Sequence, residues 1–417
     1  MQESTISRRR ERLNKMTGGL GLEDVYGATI ERIKAQGGDK SRLGMGALMW
    51  IYHAERPLSP KELCHALAIE LGSTDFDAGN IPSIMTLVGC CQGLIVVDKE
   101  ESTMRLIHFT LREYLSAHPD IFDSPHSAIA EICLTYLNCQ QVKTLSVATD
   151  GDLDALIDNE PFLVYCLCWD VHAKRQLSDN AMSLALQLFR EYDGHISVTL
   201  PAGIEWAAYP EDCSTVLWNG LHCVSYFGIV EVITALVQMG CYDLNQGDYS
   251  GFTPLTFAAA MGHDEVVEIL LGREAINPDK LENDGGTPLL FAACNGHEGV
   301  VKMLLGREEV NPDRLDINGR TPLSWAAEHG KGGVVEILLG REEVNPDKQD
   351  DRGKTPLSYA AMWGHEEVMK ILLGREEVNP NKSDFEDHTP LMRAASSGQR
   401  GVVALLQSHK AVTHNPT

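Results

Sequence analysis

No stretch of 18 or more apolar residues occurs in the 417-residue sequence, so a membrane-spanning helix is not expected. Basic charge is scarce: 35 Lys+Arg stand against 59 Asp+Glu, a formal net charge of −24. That balance repels phosphate backbones and anionic headgroups, which excludes nucleic acid and membrane surfaces as default partners. The 11 cysteines are odd in number and scattered rather than set at framework spacing, which reads as reduced thiols in a cytoplasmic protein. Catalytic signatures are missing too. There is no G-x-S-x-G elbow, and no Cys/His pair stands at a spacing that supports catalysis. His297-Glu298 and His365-Glu366 begin like H-E-x-x-H, but Val301 and Met369 hold the second histidine's place. Neither enzyme activity, nor a metal, nor a cofactor is expected. The opening MQESTISRRRERLNKM carries Arg8, Arg9, Arg10, Arg12 and Lys15 with no apolar run behind them. A secretory leader is therefore not expected there; the stretch reads as a solvated helix, with nuclear targeting as the alternative.

What remains is an ordinary globular composition, 43% hydrophobic and 23% charged. At about 150 residues per domain, two to four domains are expected. The second half is repetitive. Thr-Pro recurs at Thr253-Pro254, Thr287-Pro288, Thr321-Pro322, Thr355-Pro356 and Thr389-Pro390, 34 residues apart each time. Each unit has a physical logic. Thr253 caps a helix whose first residue is Pro254, where no N–H is needed. Ala258 and Ala259 let helices approach closely, and Gly262 suits the left-handed residue that ends a helix. Val266, Val267, Ile269, Leu270 and Leu271 form the apolar stripe of a second helix, which Gly272 ends. The segment from Asn277 to Gly285 reads as a turn or hairpin.

These residues resemble the ankyrin repeat, with its T-P-L-H-x-A-A-x-x-G-H core. The family's histidine after T-P-L is replaced here by Thr256, Leu290, Ser324, Ser358 and Met392, so its bond to the turn is expected to be lost or replaced. A degenerate copy lies one period upstream, with Asn219-Gly220-Leu221-His222 in the T-P-L-H slot, making about six repeats. Arg393, Ser396, Ser397, Gln399 and Arg400 give the last copy the polar outer face of a cap. Lys331-Gly332-Gly333 puts two glycines into a helix start, at a cost of roughly 1 kcal/mol each relative to alanine. The fourth unit is therefore expected to be the weakest.

Upstream the pattern changes. Val25 to Ile33 and Leu43 to Tyr52 read as amphipathic helices. Ser59-Pro60-Lys61-Glu62 reads as a capped start, and Ile81 to Cys90 as another helix. Gly93 to Val97 and Met104 to Ile107 read as two strands around the turn Asp98 to Thr103, and Phe109 to His118 as a last helix. Helices followed by a two-stranded hairpin describe a winged helix. With ERPLSPKELCHALAIE and LIHFTLREYL, the segment resembles the winged-helix region of fungal NACHT-type (NLR-like) receptor proteins, whose order is NACHT, winged helix, helical spacer, ankyrin repeats. Only about 20 residues precede the match, so the switch ATPase is expected to be missing. The expected organisation is a basic segment at 1–21, a winged helix at 22–123, a helical spacer at 124–212, ankyrin repeats at 213–409 and a tail at 410–417. The fold class is mainly α.

Several motifs carry a bland reading. Gly38-Asp39-Lys40-Ser41 resembles the end of a phosphate-binding loop, but Asp39 stands where glycine is required and Lys34 where the first glycine belongs. His108 matches the histidine that reaches the nucleotide in related receptors, and is read as structural. The segment Ser41 to Asp120 holds 6 Lys/Arg against 10 Asp/Glu, and Ile81 to Cys91 has no basic residue, which argues against DNA binding. Cys166-x-Cys168 reads as core. Arg273, Arg307, Arg341 and Arg375, with the glutamates after them, read as a solvated edge.

What differs between copies is more informative than what repeats. The resemblance implies that partners are read by hairpin tips and the exposed side of the first helix. Those positions hold Tyr249, Phe252, Met261, Ile317, Arg320 and Glu328, then His329, Arg352, Lys354, Met362, Trp363 and Phe385. Trp218, Tyr226 and Phe227 share the pattern, with packing as their alternative. Aromatic, Met and Arg residues are what protein interfaces concentrate. The expected function is a non-enzymatic module holding a protein partner on a concave ankyrin face. The alternatives are an adaptor or decoy docking onto a NACHT-containing receptor through the winged helix, and a nucleic-acid-binding regulator.

Overall fold

A computed structural model of the chain describes residues 21–145, 159–191 and 218–413. The chain divides into two compact units, residues 1–209 and 210–417. The basic stretch from Arg8 to Lys15 and the expected Asp212/Cys213 boundary lie outside the described residues.

In the first unit, α1 (Leu22–Ala35) buries Tyr26, Ile30 and Ile33 against α2 (Gly38–His53). The start of α3 (Pro60–Ala68) is capped reciprocally: Glu62 N–H donates to Ser59 Oγ at 3.2 Å, and Ser59 N–H to Glu62 Oε2 at 2.7 Å. The next helix, α4, runs Ile84–Cys90 and not from Ile81. Pro82 keeps Ile81 extended, and Ser83 takes the cap, accepting from Thr86 N–H at 3.1 Å. Strands β1 (Ile95–Asp98) and β2 (Thr103–Leu106) pair antiparallel, Ile95 opposite Leu106 and Asp98 opposite Thr103. Met104 N–H donates to Leu58 O at 2.8 Å, tying the wing to the residues before α3. Helix α5 (Phe109–Ala117) closes the winged helix.

Beyond it, α6 (Pro125–Leu137) is the hub. Short helices α7 (Gln140–Lys143) and α8 (Leu163–Cys166) pack on it, as do α9 (Trp169–Arg175), α10 (Asp179–Glu191) and α2. Trp50 of α2 meets Phe162 and Tyr165 edge-on at 5.7 and 5.3 Å. Cys166 is fully buried, and burial pushes its thiol far up, so this segment is core as its composition suggested.

Among the described residues the second unit holds six helix pairs. They are α11/α12 (Gly220–Phe227, Val230–Met239), α13/α14 (Pro254–Met261, Asp264–Leu271) and α15/α16 (Pro288–Asn295, Glu298–Leu305), followed by α17/α18 (Pro322–Glu328, Gly332–Leu339), α19/α20 (Pro356–Trp363, Glu366–Leu373) and α21/α22 (Pro390–Ser396, Arg400–Thr413). All five Thr-Pro threonines cap their helices by accepting the N–H three residues on. The histidine missing after T-P-L is replaced by hydroxyl pairs in three copies: Thr253 with Thr256 at 2.9 Å, Thr321 with Ser324 at 3.1 Å and Thr355 with Ser358 at 3.1 Å. In the degenerate first copy His222 keeps the older role, its Nε2 lying 2.9 Å from the Gln246 carbonyl.

Two devices join successive repeats. In three pairs a histidine opens the second helix and reaches back: His263 Nε2 donates to Tyr226 O at 2.8 Å, His297 to Ala260 O at 2.9 Å and His365 to Glu328 O at 2.8 Å. On the other edge Arg307 donates to Leu271 O at 2.8 Å and Arg375 to Leu339 O. These two arginines cap the preceding repeat's second helix, which is more than a solvated edge does. Arg341 pairs instead with Glu343 at 3.6 Å.

The two glycines of the fourth pair open an intact eight-residue helix, α18. A Cβ on Gly333 would overlap the carboxylate of Glu298, a half-exposed side chain that can swing away. Helix propensity favours alanine by about 1 kcal/mol. Moving Glu298 loses its 3.8 Å pair with Lys302, a contact of the i,i+4 kind worth about 0.3–0.5 kcal/mol. Gly333→Ala is thus expected to stabilise the repeats by about 0.5 kcal/mol in equilibrium denaturation. A loss of stability would mean that the Glu298 carboxylate contributes more at its place than this accounting allows.

Candidate functional site

Between consecutive pairs the chain forms a hairpin, and each hairpin is built on one carboxylate. Asp316 Oδ1 accepts from Asn318 N–H at 2.9 Å and Arg320 N–H at 2.8 Å. Asp350 Oδ1 accepts from Arg352 and Lys354 N–H at 2.9 and 2.7 Å, and Asp384 Oδ1 from Glu386 and His388 N–H at 3.0 and 2.9 Å. Asp248 does the same for Ser250 and Phe252, while Glu282 accepts from Asp284 N–H on Oε2 and from Gly286 N–H on Oε1. The other oxygen usually meets a donor from a first helix or its lead-in. Trp218 Nε1 reaches Asp248 at 3.0 Å, Trp325 Nε1 reaches Asp316 at 3.0 Å, Tyr359 Oη reaches Asp350 at 2.6 Å and Arg393 Nε reaches Asp384 at 2.8 Å. Sequence reading passed over these acids, although their 34-residue period at 248, 282, 316, 350 and 384 was there to be seen.

At Glu282 and Asp384 titration follows the contacts. Burial raises the Glu282 carboxyl above its ordinary value, outweighing the bonds from Asp284 and Gly286 N–H. At Asp384 burial also acts upward, but the bonds from His388 N–H, Arg393 and Glu386 N–H outweigh it and hold the carboxyl low.

The tips themselves form a ladder. Asn283 N–H donates to Ser250 O, Ile317 N–H to Asp284 O, Asp351 N–H to Asn318 O and Phe385 N–H to Arg352 O, all at 2.9–3.0 Å. The tip residues are thereby held in register, and three are large and apolar: Tyr249 is 60% exposed, Ile317 61% and Phe385 72%. Trp363, at the end of α19, is 55% exposed.

Of the twelve expected contact residues, four come together at the fourth and fifth repeats. Arg320 Nη1 meets Glu328 Oε2 at 3.0 Å, and its guanidinium lies 3.5 Å from the Trp325 ring centroid. His329 stacks on that indole at 5.7 Å, and Trp363 Nε1 donates to Glu328 Oε1 at 3.3 Å. Lys354 Nζ stands 5.4 Å from the Tyr359 ring, and Arg352 is exposed on the same hairpin. A Cβ on Gly353 would meet the Phe385 ring at 2.6 Å, which places that ring on the Arg352–Lys354 hairpin. Met261 and Met362 are half-buried at helix ends, and Tyr249 stands at the first hairpin, away from this cluster. Trp325, Cys294, Leu315 and Met392 were not anticipated. Cys294 Sγ lies 3.6 Å from His329 Nδ1, and Leu315 and Met392 are 40% and 53% exposed.

Phe252, expected among the contact residues, turns its ring inward. It is buried, with its ring 5.4 Å from Phe257 and 4.8 Å from Phe291, so it joins two repeats. Trp218 and Tyr226 are buried in the same cluster, Trp218 lying 4.5 Å from Phe257.

Among the described residues one group has metal-ligand spacing, Asp384, Glu386 and His388. The Arg393 guanidinium already bridges Asp384 and Glu386, occupying the place a cation would take. His263, His297 and His365 spend their Nε2 on carbonyls, and His108 caps α5 by accepting from Thr110 N–H at 3.3 Å. Helix α4 carries no Lys or Arg. No helix among the described residues is long and apolar enough to cross a membrane.

Comparison with known families matches part of the first unit and most of the second. Residues 204–280, 274–350 and 331–416 match the family model for ankyrin repeats, together just over half of the chain. Residues 31–130 match the model described as the GPI inositol-deacylase winged helix domain. No curated protein matches the chain.

Proposed function

The chain belongs to the ankyrin-repeat family, whose repeats are protein-interaction modules, and from that premise we propose that it holds a protein partner on the face made by its hairpin tips and first helices. The observation that carries the reading is a set of large exposed apolar side chains: Tyr249, Ile317 and Phe385 on hairpins held by their carboxylates, and Trp363 at the end of α19. Rigid tips lose little entropy on binding, and exposed aromatics supply contact area. The Arg320–Glu328–Trp363 cluster adds polar groups already oriented, so recognition proceeds by shape and desolvation, without covalent chemistry. The finer organisation proposed with it is the winged helix at 22–123, a helical spacer to 212, repeats at 213–409 and a cytoplasmic setting.

The test is affinity capture from a native lysate with the intact chain and with a Tyr249/Met362/Trp363/Phe385-to-alanine variant of unchanged circular dichroism. Proteins retained by the first are expected to be lost from the second, since central aromatic anchors contribute about 2 kcal/mol or more each. Equal capture by both chains, or by neither, overturns the reading. A second reading, protein docking through the winged helix, rests on Met85, 81% exposed on a helix without basic residues. A partner kept by the alanine variant and lost on Met85→Glu is its expected mark.

A further inference from the structure

Three histidines from three helices meet inside the first unit. His53 is the last residue of α2, His126 lies in the first turn of α6 and His172 lies in α9. The His53 and His126 rings are 5.1 Å apart, as are those of His126 and His172. His126 Nδ1 and His172 Nδ1 approach to 2.9 Å, and His172 Nε2 lies 2.9 Å from Tyr165 Oη. That hydroxyl in turn accepts from Glu55 N–H at 3.2 Å, just beyond α2. His172 has no solvent exposure.

A gap of 2.9 Å between two nitrogens holds one hydrogen. One ring donates and the other accepts, which requires at least one neutral imidazole. When both rings are charged, both Nδ1 atoms carry a hydrogen and the contact has to open.

The surroundings offer little compensation. Arg175 of α9 faces the group and holds Glu55 by donating to both its carboxylate oxygens. Lys174 and Asp170, also on α9, pair with each other at 3.6 Å. Arg56 lies 5.4 Å from the Tyr165 ring centroid, and from the other side Arg112 of α5 stands 5.9 Å from Tyr52, with Phe122 5.7 Å from His53. We propose that His53, His126 and His172 form an acid-sensitive latch, joining α2 to α6 and α9 while the rings are neutral and releasing them on protonation.

Titration supports the geometry. Burial, then His126 and Arg175, push His53 down to about 4; burial, then His126, Arg175 and His53, push His172 down to about 4 as well. Burial, then Arg175, lowers His126 against the pull of Glu55. All three shifts have one sign. The opened state binds protons more tightly than the closed one, so the latch is whole above the ordinary histidine value of about 6.5 and fails as pH falls toward 4.

The experiment uses the full chain in two ways. In a histidine-labelled sample followed by NMR, His53 and His172 are expected to titrate well below pH 6, and His126 to titrate with them below its ordinary value. Ordinary, independent titration near 6.5 overturns the proposal. In hydrogen exchange, corrected for intrinsic rates, segments of α2, α6 and α9 are expected to lose protection at least tenfold between pH 7.5 and pH 5, while Pro288–Asn295 keeps its own. Unchanged protection, or equal loss in both units, overturns it. His126→Gln keeps a neutral hydrogen-bonding group and is expected to shrink the pH-dependent loss; should it fail to fold, the titration of the unaltered chain still decides.

Discussion

Replacing Asp350 with alanine is expected to cost about 3 kcal/mol of stability in the ankyrin unit, because three donors lose their acceptor at once. Arg352 and Lys354 N–H point at one oxygen and the Tyr359 hydroxyl at the other, and Asp350 is 5% exposed. Each buried donor left without a partner costs roughly 1–3 kcal/mol, and entry of water at the hairpin offsets part of the total. Burial and then the Asp350 bond raise the Tyr359 hydroxyl far above its ordinary range, so it remains a donor at any accessible pH. Asp350→Asn keeps one carbonyl oxygen and is expected to lose less than half as much, while Tyr359→Phe removes a donor together with its need and is expected to cost about 1 kcal/mol. Urea denaturation monitored through the helices measures all three. The function should respond beyond the stability change, since this carboxylate sets the path of the Arg352–Lys354 hairpin on which Phe385 rests. An Asp350→Ala chain as stable as the original would mean that the acid ladder does not hold the hairpins.

The repeat was legible because its signals are local and recur: a capping threonine, a proline, paired alanines and a glycine all act within one helix. The winged helix was legible for the same reason, through the reciprocal cap of Ser59 and Glu62 and the turn between two short apolar runs. What escaped lies across repeats or across distant segments. Phe252 read as a tip aromatic because it shares the 34-residue register of Arg320 and Lys354. Only the third dimension sets its ring against Phe257 and Phe291 and takes it out of solvent. The hairpin acids were periodic yet looked like ordinary turn residues, since a turn favours Asp whether or not both its oxygens are engaged. His53, His126 and His172 share no period, and nothing in their spacing brings them together. The helix start at Ile84 in place of Ile81 is a smaller case of local competition, which Pro82 decides.

The histidines and glycines of the repeat make one joint, and it is open to a controlled comparison. Gly262 ends α13 with φ at +74°, and a Cβ there would overlap the His297 ring of the next repeat. Gly398 has the same φ of +74°, but nothing lies within 4 Å of the place a Cβ would take. Gly398→Ala therefore meets the backbone cost alone, about 1–2 kcal/mol for a left-handed residue that has a Cβ. Gly262→Ala meets that cost and also displaces His297, whose Nε2 is bonded to the Ala260 carbonyl at 2.9 Å. Losing that bond adds roughly 0.5–1.5 kcal/mol, and the disturbed packing between repeats adds to it. The expected destabilisations are about 3 kcal/mol for Gly262→Ala and about 1.5 kcal/mol for Gly398→Ala. The effects should differ in kind as well. Damage at Gly262 falls between the second and third repeats, where nearest-neighbour coupling holds a solenoid together, and should broaden the unfolding transition. Damage at Gly398 falls in the terminal repeat and should only fray the end. Adding His297→Ala to each variant completes the cycle: the histidine's contribution should vanish in the Gly262→Ala background and persist beside Gly398→Ala. Equal costs for the two glycines would show that the backbone angle is the whole of the requirement and that the histidine simply makes room.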